Sequence, residues 1–515
     1  MADTKREIER KYEATPDTGL PDLTRVAGVS AVQDKGVAEL DAVYYDTADL
    51  RLAAASITLR RRTGGTDAGW HLKLPVAPGV RDEITAPLSD AVPHVLQSLV
   101  RARTRDAELV PVVRLRSSRH IHDLVDADGA PLAELSRDGV RAERLTDGGR
   151  TAQWDEIEVE LADDGDPALL DAVDKKLRKA GLRPAHWPSK LARALAETAP
   201  KEGKHAKAGA EPTAPVPAEE PANAGDYILA YLREQAAAII AYDPAVRRDL
   251  PDSVHQMRVA TRRLRSAFKT YRKIIDRTVT DPIGEELKWL AGELGVARDH
   301  EVLTERLRSR IDALPRTLLL GPVRGRLRIW TVARGSGARR KATAVLDSKR
   351  YLALLDSLDT LLADPPLLKA AFGTAARVIP KAVLKSYDRL AARVDHALAL
   401  SPGHERDLAM HDARKAAKRA RYAGEAATPA LGKPAKRFAK RMKDVQTVLG
   451  DHQDSVVARE ALRDLGIQAH AAGESAFTWG LLYGHEEAQA AERERELPEV
   501  WQKASDEDLR AALSH

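Results

Sequence analysis

The 515-residue sequence contains no cysteine. Disulfides, thiolate nucleophiles, iron–sulfur clusters and cysteine-bound zinc are excluded, so a metal would have to sit on oxygen or histidine. Aromatic residues make up 4% of the chain, which argues against a surface that stacks nucleic-acid bases. No run of about 20 apolar residues occurs, and the opening MADTKREIERKYEA lacks the apolar core of a signal peptide. A cytoplasmic location without membrane contact is the expectation. Charge is plentiful at 31%, and the length leaves room for roughly two or three domains, each with its own core.

The formal net charge of +5 is unevenly spread, with −5 over residues 1–200, −1 over 201–222 and +11 over 223–515. That asymmetry predicts a polyanionic partner for the C-terminal part. The joint at 200–223, PKEGKHAKAGAEPTAPVPAEEPAN, is rich in Pro, Ala, Gly and charge without apolar periodicity. It reads as a flexible linker between domains at 1–199 and 224–505.

Before the joint, alternating runs between turn signals predict about eight strands. They are Glu7–Glu13, Glu39–Thr47, Ser56–Thr63, Gly69–Leu74, Val80–Thr85, Val110–Asp123, Leu132–Val140 and Gln153–Leu161. Helical periodicity at Asp90–Thr104, Pro167–Ala180 and Ser189–Glu197 makes this domain α+β. After the joint, Ala/Leu/Arg/Glu-rich stretches predict helices alone. This half also repeats itself. His255-x-x-Arg258-x-x-x-Arg262-Arg263-x-Arg265 returns as His411-x-x-Arg414-x-x-x-Lys418-Arg419-x-Arg421, and Leu294-Gly295-x-x-Arg298-Asp299 as Leu449-Gly450-x-x-Gln453-Asp454. The two offsets, 156 and 155 residues, predict a duplicated bundle of about four helices per copy.

Residues i and i+2 of a strand share a face. Glu7, Glu9 and Lys11 align, as do Arg60 and Arg62, His71 and Lys73, Arg81 and Glu83, Arg114 and Arg116, and Glu156, Glu158 and Glu160. A sheet with one solvated face explains any single strand of this kind. Repetition of both signs over many strands, with helices available to cover the apolar face, favours a closed barrel lined by charge. Such a lining must be wet, mutually paired or filled by a complementary ligand. Arg and Lys suit phosphate oxygens, and carboxylates beside them suit Mg²⁺ or Mn²⁺, so the residues point to a metal-complexed oligophosphate.

In order along the chain stand Glu7-x-Glu9-x-Lys11, Tyr45-Asp46-Thr47, Leu59-Arg60-Arg61-Arg62, Trp70-His71-Leu72-Lys73, Arg81-x-Glu83, Arg114-x-Arg116, Asp138, Glu158-x-Glu160 and Ser189-Lys190. This set resembles the CYTH family of triphosphate tunnel metalloenzymes over about residues 3–198. The family includes inorganic, thiamine and RNA triphosphatases and class IV adenylyl cyclases. The resemblance implies an eight-stranded antiparallel tunnel in which Lys11, Arg60, Arg62, Lys73, Arg114, Arg116 and Lys190 hold phosphates. It implies that Glu7, Glu9, Asp138, Glu158 and Glu160 hold one or two divalent cations, with Glu7, Glu9, Lys11 and Lys73 at the catalytic centre. Arg81 and Glu83 either join the lining or pair with each other, and His71 fits a structural role better than substrate contact. No general base is singled out.

In the helical half His255, Arg258, Arg262, Arg265, Lys269 and Arg272 step by 3, 4, 3, 4 and 3, which aligns them on one face with no acid between His255 and Ile275. The second copy supplies His411, Arg414, Lys418 and Arg421, a following row Lys436, Lys440 and Lys443, and Lys288 in the place corresponding to Lys443. Like charges so spaced destabilise a bare helix, so a linear polyanion is a better account than an idle surface. Without aromatic interleaving or a nucleic-acid-binding signature, a phosphate polymer fits better than nucleic acid. The repeated motif resembles the CHAD domain, over about residues 224–505, which implies inorganic polyphosphate binding, often beside a CYTH domain. Asp299 and Asp454 are expected to pair with basic residues inside the bundle, and His255 and His411 to hydrogen-bond rather than bind metal.

Together these readings predict a metal-dependent phosphoric-anhydride hydrolase acting on tripolyphosphate or polyphosphate ends, tethered to a polyphosphate-binding domain. The alternative is a non-catalytic polyphosphate-binding protein of polyphosphate granules, its tunnel serving as a phosphate sensor.

Overall fold

The computed structural model describes residues 3–514 apart from 16, 147, 201–220 and 336. The chain divides into two compact units, Met1–Val216 and Pro217–His515. Most of the expected linker, residues 201–220, lies outside the described residues.

The first unit is a closed antiparallel barrel. Its strands are β1 (Asp3–Ala14), β2 (Ala31–Asp46), β3 (Thr58–Thr63), β4 (Gly69–Ala77), β5 (Val80–Ala86), β6 (Val110–Val125), β7 (Pro131–Arg144) and β8 (Thr151–Leu161), in the order β5-β4-β3-β2-β6-β7-β8-β1. β1 closes the circle by changing neighbours along its length, pairing with β5 through Glu7↔Arg81 and with β8 through Lys11↔Glu158. A two-residue strand, β9 (Arg183–Pro184), adds to β1. β2 begins earlier than its alternation predicts because residues 31–37 are all exposed and so carry no apolar period.

Helices cover the apolar outside of this barrel, as the sequence argument requires. α1 (Arg51–Ala54) and α2 (His94–Thr104) contribute Leu52, Leu96 and Leu99 to a cluster with Leu59, Trp70, Leu72 and Ile84. α3 (Pro167–Lys179) lays Leu170, Val173 and Leu177 on Tyr12, Leu135, Ile157 and Val159. Each fully buried side chain of this size contributes about 1.5–3 kcal/mol. α4 (Lys190–Glu197) differs, because its Leu191, Ala194 and Leu195 pack on Ala42, Tyr44, Val113, Leu115, Val140 and Ala142. The register places those six on the same face as Arg60, Arg62 and Asp138, the inner face. α4 is therefore a plug in one end of the barrel.

The second unit is all helix: α5 (Ala224–Arg247), α6 (Ser253–Thr270), α7 (Arg277–Glu293), α8 (Gly295–Asp312), α9 (Val323–Gly335), α10 (Ala338–Leu346), α11 (Lys349–Ala363), α12 (Ala375–Ala399), α13 (His404–Leu431), α14 (Lys433–Ala471), α15 (Phe477–Ala504) and α16 (Glu507–Ala511). The motif repeats fall on α6 and α13 and on α8 and α14. The first copy breaks at Leu294 between α7 and α8, where α14 runs unbroken through Leu449 and Gly450. α6 and α13 join the copies through Tyr271 Oη donating to the Ala423 carbonyl (2.9 Å) and the Arg263–Glu425 ion pair (2.9 Å). α6 ends at Thr270, so Arg272 lies beyond the helix and off its continuous face.

Candidate functional site

The cross-strand register fixes which charges enter the barrel. Glu7 faces Arg81, Lys73 faces Glu83, Asp138 faces Glu156 and Arg119, and Lys11 faces Glu158. They surround a cavity of about 380 Å³ whose lining holds eight Lys or Arg and seven Asp or Glu side chains. Near equality of sign is what allows so many charges to be buried together.

The pairs are specific. Lys73 Nζ lies 2.5 Å from Glu7 Oε1 and 3.7 Å from Glu83. Lys11 bonds Glu9 at 2.9 Å and also Glu158. Arg119 grips Asp138 through two bonds of 2.8 and 2.7 Å and reaches Glu158 at 2.9 Å. At the plug's first residue, Lys190 Nζ touches Asp138 (2.9 Å), Glu156 (2.7 Å) and Glu158 (2.7 Å). Ser189 caps the plug by accepting from the Ala192 amide at 3.1 Å, which fixes where Lys190 starts. Arg81 does not pair with Glu83. It donates to the Pro188 carbonyl at 2.6 Å and so holds the approach to the plug. His71 lines the cavity too and is held by Glu83 (3.0 Å) and the Asp67 carbonyl (2.9 Å).

This arrangement sets the protonation states. Burial pushes Glu158 and Asp138 up, but Lys11, Lys190 and Arg119 outweigh it and hold both below the usual carboxylate range. Glu160 goes the other way, raised by burial and then by the negative charge of Glu7. Burial, then Arg60 and Arg119, bring Arg62 down to about 9.

In the second unit, part of each basic stripe is neutralised. Arg258 bonds Asp299 at 2.9 Å, and Arg414 bonds Asp454 at 3.4 Å, the same pair in each copy. The small residue of each Leu-Gly motif lies beneath its guanidinium: a Cβ on Gly295 would sit 2.7 Å from Arg258 Nη2, and one on Gly450 3.7 Å from Arg414. Arg421 pairs with Glu425 at 3.1 Å and Lys288 with Glu285 at 3.1 Å. Arg262, Arg265 and Lys269 on α6, with Lys418 and Arg419 on α13, have no ion pair within 4.0 Å among the described residues. Burial, then Arg414 and Arg262, depress Lys418 to about 8, so the two copies press their cations together. Lys436, Lys440 and Lys443 stand exposed on α14.

Comparison with known proteins settles the family. A CYTH domain model matches residues 5–193, and a CHAD domain model matches 230–463. Two Mycobacterium tuberculosis proteins, MT2285 of strain CDC 1551 / Oshkosh and Rv2226 of strain ATCC 25618 / H37Rv, are each 40% identical over 524 residues. The match covers 98% of this chain and 97% of either relative. The chain belongs to the CYTH–CHAD proteins. Among solved structures, PptA from Streptomyces chartreusis aligns at 23% identity with a TM-score of 0.46, over 54% of this chain and 99% of its own. CYTH members are triphosphatases and cyclases.

Within the CYTH tunnel the structure gathers Glu7, Glu9, Lys11, Arg60, Arg62, Lys73, Glu158, Glu160 and Lys190 around the cavity, with Asp138 fully buried against Arg119 and Lys190. It places Arg114 and Arg116 elsewhere. Unbroken alternation along β6 turns Val113 and Leu115 inward beneath the plug, so these arginines face outward, where Arg114 clasps Asp41 at 2.9 Å and Arg116 lies 3.7 Å away. The inward cation of β6 is Arg119, which sequence reading missed. The sign of its parity was there, since Arg119 shares the odd positions of Val113 and Leu115. Lys5, Tyr44 and Glu134 also line the cavity without having been singled out.

The acids fall into two groups that differ as metal ligands. Asp138, Glu156 and Glu158 bring oxygens within 4.8 Å of one another and could hold a metal, but the Lys190 ammonium contacts all three. Glu7, only 3% exposed, keeps Oε2 buried without a partner. That orphaned oxygen shares the inner face with Glu9, paired to Lys11 at 2.9 Å, and Glu160, paired to Lys5 at 2.9 Å, an all-oxygen set of the kind a hard cation could use.

Proposed function

We propose that the CYTH tunnel hydrolyses inorganic tripolyphosphate or the ends of polyphosphate with Mg²⁺ or Mn²⁺, and that the CHAD domain holds the polymer. The observation that carries this reading is the tunnel's paired lining. Phosphate oxygens entering the cavity take over Lys11, Lys73, Arg60, Arg62 and Arg119, and the acids thereby released are satisfied only by a cation. Anion and metal thus enter together without leaving a buried charge alone. A bound divalent ion, held by Glu7, Glu9 and Glu160, supplies charge neutralisation on the phosphates and orientation of water.

The test is phosphate release from tripolyphosphate, long-chain polyphosphate, ATP and thiamine triphosphate, with and without Mg²⁺ or Mn²⁺. Glu7→Gln is expected to lower turnover of the best substrate about 100-fold, and to lower the thermal transition as well, because the part-buried Lys73 loses its nearest carboxylate. Absence of turnover of every substrate with metal would overturn the enzyme reading. It would favour the second reading, a phosphate-sensing tunnel, which draws on Lys190 occupying the Asp138–Glu156–Glu158 cluster.

Polyphosphate binding by the CHAD domain carries its own pH signature. Lys418 loses its proton through pH 8 in the free protein, and a bound polyanion favours the charged form. Affinity is therefore highest below pH 8 and falls about 10-fold between pH 7 and 9. Lys418→Arg, which stays charged, is expected to flatten that profile in fluorescence-anisotropy titrations. A wild-type affinity unchanged between these pH values would refute it.

A further inference from the structure

On the outside of the CYTH barrel a second, chemically different set of ligands converges. His120 and His122 are i and i+2 on β6 and so share its outer face, opposite to Arg119. Asp34 on β2 stands in register with His122. Between Asp34 and Gly36 the ladder slips by one residue, a β-bulge that Gly36 makes possible with φ +82°. The Gly36 amide donates to Asp34 Oδ1 at 2.7 Å, and the bulge turns this carboxylate toward His120, whose Nε2 lies 2.8 Å away. The two imidazoles lie with centroids 4.3 Å apart and planes tilted by 46°, and all three residues offer donor atoms within 4.8 Å of one another. His122 Nδ1 is buried without a hydrogen-bond partner, which a second imidazole packed merely for shape would not require.

We infer that Asp34, His120 and His122 form a surface site for a borderline-soft divalent transition ion such as Zn²⁺. Two imidazole nitrogens and one carboxylate oxygen match zinc and its neighbours, whereas Mg²⁺ favours all-oxygen surroundings. His-x-His on a strand sets two ligands on one side, and the bulged neighbouring strand brings the third across. Asp34 has a side-chain exposure of 62%, so the ion enters from solvent and keeps water in its remaining positions. The site shares no residue with the tunnel lining. One domain thus offers an oxygen-only set inside and a nitrogen-rich set outside.

Zn²⁺ titration of the full chain by calorimetry, in excess Mg²⁺ to occupy the tunnel acids, tests this. The wild type is expected to bind one more equivalent than the His120→Ala/His122→Ala double variant, and Asp34→Asn to bind that equivalent about 10-fold or more weakly. Co²⁺ in place of Zn²⁺ should give visible bands that both variants lose or diminish. Equal stoichiometry and affinity in wild type and double variant would overturn the site. Full affinity in Asp34→Asn would overturn the three-ligand assignment, and that exposed substitution decides the matter even if the double variant fails to fold.

Discussion

Lys190→Met is expected to destabilise the CYTH barrel by about 3–5 kcal/mol, the cost of leaving buried carboxylates without their counter-charge. The ammonium is 9% exposed and within 2.9 Å of Asp138, Glu156 and Glu158, and Asp138 is fully buried. In a unit of this size that loss lowers the calorimetric transition by about 10 °C. The variant also changes its response to acid. In the wild type, Asp138 and Glu158 titrate below their unfolded values, so their contribution is complete above about pH 5 and is lost as pH falls through the folded values. Lys190 titrates above its unfolded value, so its share is complete below about pH 10 and is lost as pH rises through its folded value. With methionine in place the acids lose one of the cations that hold them low, Lys11 and Arg119 remaining, so less stability is lost as pH falls. Melting curves from pH 8 downward check the reduced acid sensitivity. A variant as stable as wild type at pH 8 would show that the plug is held by Leu191 and Leu195 alone.

The combined substitution Arg262→Ala, Arg265→Ala, Lys418→Ala and Arg419→Ala is expected to weaken polyphosphate binding at least about 1000-fold at low salt. Each charge-assisted contact contributes about 1.5–3 kcal/mol, and these four have no ion pair within 4.0 Å among the described residues to return to. Because bound cations release counter-ions, the slope of log affinity against log salt should fall by about 0.7 per contact removed. Stability should hold or improve, since four mutually repelling charges disappear; Lys418 is already depressed to about 8 by burial and its neighbours. Arg258→Ala and Arg414→Ala, by contrast, release Asp299 and Asp454 and are expected to cost helix packing more than affinity. Equal loss of affinity in both sets would mean that the polymer reads the whole stripe.

The two sets show what spacing along a chain reveals and what it hides. Six basic residues stepping by 3 and 4 announced a face, but spacing cannot say which guanidiniums meet a carboxylate from another helix, as Arg258 and Arg414 do. In the barrel, alternation placed Glu7, Glu9, Lys11, Arg60 and Lys73 inward, because the other faces of β3 and β4 are apolar and helix-covered and that of β1 carries Ile8 and Tyr12. β6 breaks that inference. Its inner face is apolar where α4 fills the barrel and charged only beyond, so the apolar residues marked the inside and Arg114 and Arg116 the outside. Only knowledge of the plug separates those cases, and the plug is a tertiary fact. β2 hid its first half for a related reason, since a segment exposed on both faces has no period to read.

The split pairing of β1 bears on how the chain is made. Lys11 meets Glu158, a strand partner 147 residues downstream, so β1 leaves the ribosome well before that partner. At about 5–20 residues per second, it waits roughly 7–30 s for the strand that completes its ladder. Lys190 is delivered later still, so the acids it neutralises stay hydrated until the plug arrives. Chain order thus makes the cation that neutralises Asp138, Glu156 and Glu158 available only after all three acids have been made.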